Sequence, residues 1–78
     1  MQVTIRSKKY NITREVIERR MRGFEPEEGR VYFVEINGKE YPIKQVIKRV
    51  LNLPVAGFNT QDAYNILDRL NFKIVTKG

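Results

Sequence analysis

The sequence predicts an α+β fold: a small, mostly antiparallel sheet of three or four strands with three helices, in the order β-α-β-β-α-α-β. The first observation behind this is the run Val31 to Ile36, β-branched and aromatic, which meets Asn37-Gly38, the strongest short hairpin signal, before Lys39 to Tyr41 returns. The second is that three other stretches space their apolar residues at helical intervals. The third is size. With 78 residues, 41% of them hydrophobic, the chain makes one domain over 1–78 and cannot leave a hairpin unsupported. A lone two-stranded hairpin is marginal in water, so the last strand must join it.

Each element has its own justification. Gln2 to Arg6 alternates, with Val3 and Ile5 on one face, and reads as a short strand; Ser7-Lys8-Lys9 follows as a polar break. Thr13 caps a helix running to about Arg22, with Gly23 as its stop and Ile12, Val16, Ile17, Met21 and Phe24 as its apolar positions. Residues 25–29 form a turn-rich loop. Pro42 suits the first turn of a second helix. Its apolar residues Ile43, Val46, Ile47, Val50 and Leu51 fall within about 140° on a helical wheel. Pro54 and Gly57 break it. Thr60 caps a third helix to about Leu70, with Ala63, Ile66, Leu67 and Leu70 on one stripe, and Phe72 to Thr76 closes as a strand centred on Ile74.

Charge is the dominant compositional feature. Fifteen Lys and Arg against nine Asp and Glu leave +6. A small basic domain attracts polyanions, nucleic acid first among them, although the charge can also serve solubility alone. The absence of Cys excludes disulfides and thiolate metal sites, and the absence of His removes the commonest general base and zinc ligand. No apolar run approaches a membrane span and no signal peptide is present, so the expected compartment is the cytoplasm, with no membrane partner. Ser7, Thr13 and Thr60 lack a His to activate them, and the scattered glycines form no phosphate cradle. No enzyme, no catalytic residue, no cofactor and no metal site is expected.

The surface residues give three candidate faces. The second helix turns Gln45, Lys48, Arg49 and Asn52 outward, with Lys44 on its flank. Lys44 and Lys48 form a like-charge pair that costs an isolated helix roughly 0.2–0.5 kcal/mol. No acid three or four residues further on relieves it; only Glu40 could reach Lys44. Such a face suits phosphate contact, or it is simply solvated. The first helix looks equally basic, but the spacings Glu15 to Arg19, Glu18 to Arg22 and Arg14 to Glu18 predict mutual neutralisation, and Arg20 is expected to lay its stem over the core. The third helix aligns Gln61, Asn65 and Arg69, residue types that read adenine and guanine edges in a major groove. The second and third helices could then act as a loose helix-turn-helix. Against this, the connection Leu53 to Asn59 is long for the usual turn, and Asp62 and Asp68 flank the line.

Across the hairpin, Glu35 falls opposite Glu40, and Val34 opposite Tyr41. Opposed like charges destabilise a sheet, so Lys73 or Arg6 is expected between the carboxylates. Two carboxylates with no further acid make a poor metal site. Tyr10, Tyr32, Phe33, Tyr41, Phe58 and Tyr64 are capable of stacking on bases, but a domain this small needs most of them inside. Phe33 is the one to watch, because it shares a strand face with Val31 and Glu35.

The stretch Val31 to Val75 also carries a pattern: Asn37-Gly38-Lys39, Tyr41-Pro42-x-Lys44, Phe58, then Leu70-Asn71-Phe72-x-Ile74. It resembles the N-terminal head domain of modification-dependent restriction endonucleases with an HNH nuclease domain. The pattern there reads approximately Gly-Lys-x-Tyr-Pro-x-Lys, then Phe, then Leu-Gly-Phe. Asn71 stands at the glycine position, and Asn tolerates the left-handed conformation. The resemblance implies an accessory module acting on or beside DNA. No nuclease domain follows within these residues, so cleavage is not expected to carry over.

The function expected from the sequence is a non-catalytic DNA-binding module contacting duplex phosphates through Lys39, Lys44, Lys48 and Arg49. Lys8, Lys9, Arg69, Lys73 and Lys77 extend the patch, while Gln61, Asn65 and Arg69 face bases. The alternative is a protein-interaction or oligomerisation module with a basic surface. Joint exposure of Phe24, Val31 and Phe33 would favour that alternative. RNA binding, a third reading, lacks a dominant aromatic platform.

Overall fold

The computed structural model describes residues 2–29 and 31–77 and has an α+β fold. Strands β1 (Gln2–Ile5) and β2 (Lys8–Asn11) pair antiparallel, with Ile5 opposite Lys8. The expected polar break is therefore a two-residue turn followed by a strand. Arg6 and Ser7 sit at φ 50° and 68°, the pair of left-handed residues that a tight hairpin turn requires. Neither residue type announces that conformation. Arg6 is held there by its guanidinium, which donates to the carbonyls of Gly57 at 2.9 Å and Ala56 at 3.1 Å.

Helix α1 (Arg14–Arg20) starts where Thr13 accepts a hydrogen bond from the Val16 amide at 3.2 Å, and ends about two residues earlier than its sequence suggests. Arg20 does more than cover the core: its guanidinium donates to the Val50 carbonyl at 2.6 Å. Strands β3 (Tyr32–Ile36) and β4 (Lys39–Pro42) turn at Asn37 and Gly38, with φ of 53° and 80°. The register is the expected one, Glu35 opposite Glu40 and Val34 opposite Tyr41. Strand β5 (Ile74–Thr76) joins β3 antiparallel, giving the order β4-β3-β5. Of the three or four strands expected in one sheet, three are present here, and the first strand is not among them. It pairs with β2 instead, and the separate hairpin lays Val3 and Ile5, each 4% exposed, onto the core.

Helix α2 (Ile43–Leu51) stops at Asn52, which is left-handed at φ 54°, before Pro54 is reached. A 3₁₀ turn over Val55–Gly57 leads to α3 (Thr60–Arg69). The cap of α3 is Asn59, one residue before the expected Thr60. The Asn59 side chain accepts from the Asp62 amide at 2.8 Å, and the Asp62 carboxylate accepts from the Asn59 amide at 3.1 Å. Asn71 is left-handed at φ 65°, and β5 begins at Ile74 because Phe72 turns into the core.

The helices cover one face of the sheet. Val34, Ile36 and Tyr41 meet Ile17, Met21, Val46, Ile47 and Leu67, all nearly sealed from water. Each buried aliphatic side chain contributes roughly 1.5–3 kcal/mol. The Tyr41 hydroxyl donates to the Phe24 carbonyl at 2.8 Å, which carries the chain from α1 across the end of the core. The radius of gyration is 11.4 Å, against about 11.5 Å for a compact chain of this length. Among the described residues no helix is long and apolar enough to cross a membrane.

Candidate nucleic-acid interface

The basic face of α2 is covered by the loop that precedes β3, a placement no local pattern signals. Gln45, expected to point outward, is only 3% exposed. Its carbonyl oxygen accepts from the Glu27 amide at 2.8 Å and its amide donates to the Glu25 carbonyl at 2.9 Å. Residues 25–27 are thereby pinned along the helix, and their carboxylates reach cations of α2 and β4. Glu27 takes Lys48 at 3.1 and 3.3 Å and Arg49 at 3.5 Å; Glu25 takes Lys39 at 3.0 Å. The hydrogen bond that the Lys39 ammonium donates to the Glu25 carboxylate raises its pKa above the ordinary value. The expectation of an unrelieved face is thus corrected: the relieving acids lie upstream in sequence, outside the helix. Exposed ion pairs contribute about 0–1 kcal/mol each, so they do not anchor the loop, but a phosphate would have to displace Glu27 to use Lys48 or Arg49. Lys44 differs. It has no acid partner among the described residues, and its ammonium lies 5.5 Å above the Phe58 ring.

Of the two sheet carboxylates, Glu40 takes a lysine that was not expected there. Lys77 pairs with Glu40 and lies 5.0 Å over the Phe33 ring, held in position by its own amide on the Val31 carbonyl at 2.6 Å. Lys73 is exposed beside Glu35, whose amide donates to the Lys73 carbonyl at 3.1 Å, and Arg6 is occupied at the 3₁₀ turn. Phe33 is half-buried. Phe24 and Val31 are 38% and 42% exposed, but Phe24 lies 5.1 Å beneath the Arg49 guanidinium. The three apolar residues are therefore not exposed together.

On α1, only the Arg14–Glu18 pair of the three expected ones forms among the described residues, at 3.7 Å. Arg14 is directed there by the Asn71 carbonyl at 2.7 Å and the Phe72 ring at 4.4 Å. Arg22 lies past the helix end, so its spacing from Glu18 no longer brings the two together. Arg19 and Arg22 are exposed, not neutralised.

The polar line of α3 is flanked by the first hairpin. Gln61 donates to Asn65 at 2.9 Å. Asn65 and Arg69 line a crevice of about 160 Å³ whose opposite wall is Val3, Thr4 and Ile5 of β1. The helix therefore does not stand free as a recognition helix; any polyanion that meets it also meets the hairpin. Lys9 sits opposite Thr4 in the register, one strand further out, and Lys8 opposite Ile5. Lys8, Lys9 and Arg69 are exposed and have no acid partner among the described residues. The acid in the crevice wall, Asp62, is engaged at the helix cap.

A family model described as SCO5918-like matches residues 1–78. The chain belongs to the SCO5918-like family. No curated protein and no solved structure matches it. Among the described residues of this SCO5918-like chain, no three acidic side chains are grouped to hold a metal ion.

Two adjoining grooves open on the opposite side of α3. The larger, about 360 Å³, is lined by Val31, Tyr32, Pro42, Ile43, Lys44 and Thr60, with Glu28 and Gly29. The smaller, about 280 Å³, shares Tyr32 and Thr60 and adds Gln61, Tyr64 and Thr76. Tyr32 and Tyr64 meet edge to face, centroids 5.6 Å apart. Alternation along β3 places Tyr32 on the buried face with Val34 and Ile36, yet it is 36% exposed because the strand runs past the end of the core there.

Proposed function

We propose that this SCO5918-like chain is a non-catalytic nucleic-acid-binding module that contacts duplex DNA phosphates from the β1–β2 hairpin and the C-terminal half of α3. The observation that carries this is that Arg69 lines the crevice between Thr4 and Asn65 while Lys9 sits opposite Thr4 in the hairpin register, both exposed and both without an acid partner among the described residues. Phosphate contacts come from such available cations, and amide or hydroxyl side chains beside them fix register. Lys39, Lys48 and Arg49 are secondary in this reading, since each already faces a carboxylate. The resemblance to the head domains of HNH restriction endonucleases points the same way, toward an accessory role beside DNA. Two residues of the shared pattern serve the fold: Tyr41 fills the core and Pro42 precedes α2.

Fluorescence anisotropy with a labelled duplex tests this. Affinity is expected in the micromolar range or weaker, with log affinity falling linearly against log salt. Lys8, Lys9 and Arg69 alone give a slope of about −2.7, and up to five contacts about −4.5. No binding at low salt, or binding indifferent to salt, overturns the reading.

A further inference from the structure

We propose that the trough formed by the two grooves around Tyr32 holds unpaired nucleobases of a single strand, with a backbone phosphate at Lys44 beside the larger groove. This rests on the nucleic-acid reading but concerns a different surface and a different form of the ligand. The larger groove, about 360 Å³, falls at the lower end of small-ligand sites, which run from roughly 300 to 1,000 Å³. It is lined by Pro42 and Ile43 together with Val31 and Tyr32, the last two 42% and 36% exposed. Tyr32 also walls the smaller groove, so a planar ligand on either side meets aromatic or apolar surface. Tyr64 abuts it at an interplanar angle of 76°, which fixes the ring orientation before any ligand arrives.

The polar groups along the trough match base edges. Thr60 and Thr76 supply hydroxyls, each donor and acceptor, and Gln61 supplies an amide. Charge complementarity selects a polyanion over a peptide. The chain carries +6, and Lys44 at the groove is the lysine on α2 that no carboxylate engages among the described residues. Glu28 also lines the larger groove, and its carboxylate disfavours a phosphate beside it, which leaves the Lys44 side for the backbone. Paired and stacked bases cannot enter such a trough, whereas a single strand presents free base faces.

The test is anisotropy of the full chain with a labelled oligo-dT strand and with a duplex of equal length. Tyr32→Ala is expected to weaken oligo-dT binding roughly ten- to a hundredfold, the loss usual for one stacking platform. Duplex binding should be unchanged, and Tyr32→Phe should retain the single-strand affinity. Lys44→Gln, which leaves the aromatic walls intact, should flatten the single-strand salt slope by about one unit. Circular dichroism checks that each variant folds, and Lys44→Gln carries the test if Tyr32→Ala does not. Unchanged oligo-dT binding in the folded Tyr32→Ala and Lys44→Gln variants overturns the trough while leaving the duplex reading in place. So does a wild-type chain that binds an aromatic acidic peptide in the trough but no oligo-dT. If neither nucleic acid binds, both readings fall.

Discussion

Replacing Lys9 and Arg69 together by glutamine removes most duplex binding and leaves the fold intact. Both side chains are exposed and neither makes an ion pair among the described residues, so no native interaction is lost with them. Each phosphate contact removed flattens the salt slope by about one unit, so the pair flattens it by about two. The comparison is Lys48→Gln with Arg49→Gln, an equal change in net charge. That pair should cost much less, because Glu27 already holds both cations, at 3.1 and 3.5 Å. Equal losses from the two double variants would mean that net charge alone governs binding and that the hairpin and α3 form no particular site.

Gln45→Ala is expected to destabilise the domain by about 2 kcal/mol, from two lost hydrogen bonds of roughly 0.5–1.5 kcal/mol each. For a domain of this size that lowers Tm by roughly 8–16 °C. The residue is nearly sealed, and both ends of its amide are spent on the 25–27 backbone. The effect reaches the surface as well. With the loop released, Glu25 and Glu27 no longer stand over Lys39, Lys48 and Arg49, and the salt slope for duplex should steepen. Thermal unfolding followed by circular dichroism gives the first quantity and anisotropy the second. A Tm within a degree or two of the parent would mean the loop is not held by Gln45.

The parts of the fold written in local pattern were legible. Asn37-Gly38 fixed the second hairpin and hence the Glu35–Glu40 register, and the apolar spacing of α2 and α3 located both helices within a residue or so. The first hairpin was not legible, because its left-handed turn at Arg6 and Ser7 is held by the Arg6 guanidinium on the carbonyls of residues 56 and 57, far along the chain. The candidate site was legible in residue type and not in state. Helix periodicity places Gln45 on the outer side of α2, and only the path of the 24–29 loop decides that it is buried and that Lys48 and Arg49 are answered. The same holds for Lys77, which supplies the cation at Glu40 from just beyond a strand end. Exposed aromatics are equally opaque to strand alternation, since Tyr32 has the parity of a core residue and sits past the core's edge.

The most direct measurement is the change in backbone amide NMR shifts as duplex DNA is added to the full chain. Binding through the hairpin and α3 predicts that shifts gather at Thr4, Lys8, Lys9, Asn65 and Arg69 and leave residues 45–49 unmoved. Shifts confined to residues 44–49, or none at any duplex concentration, would contradict it.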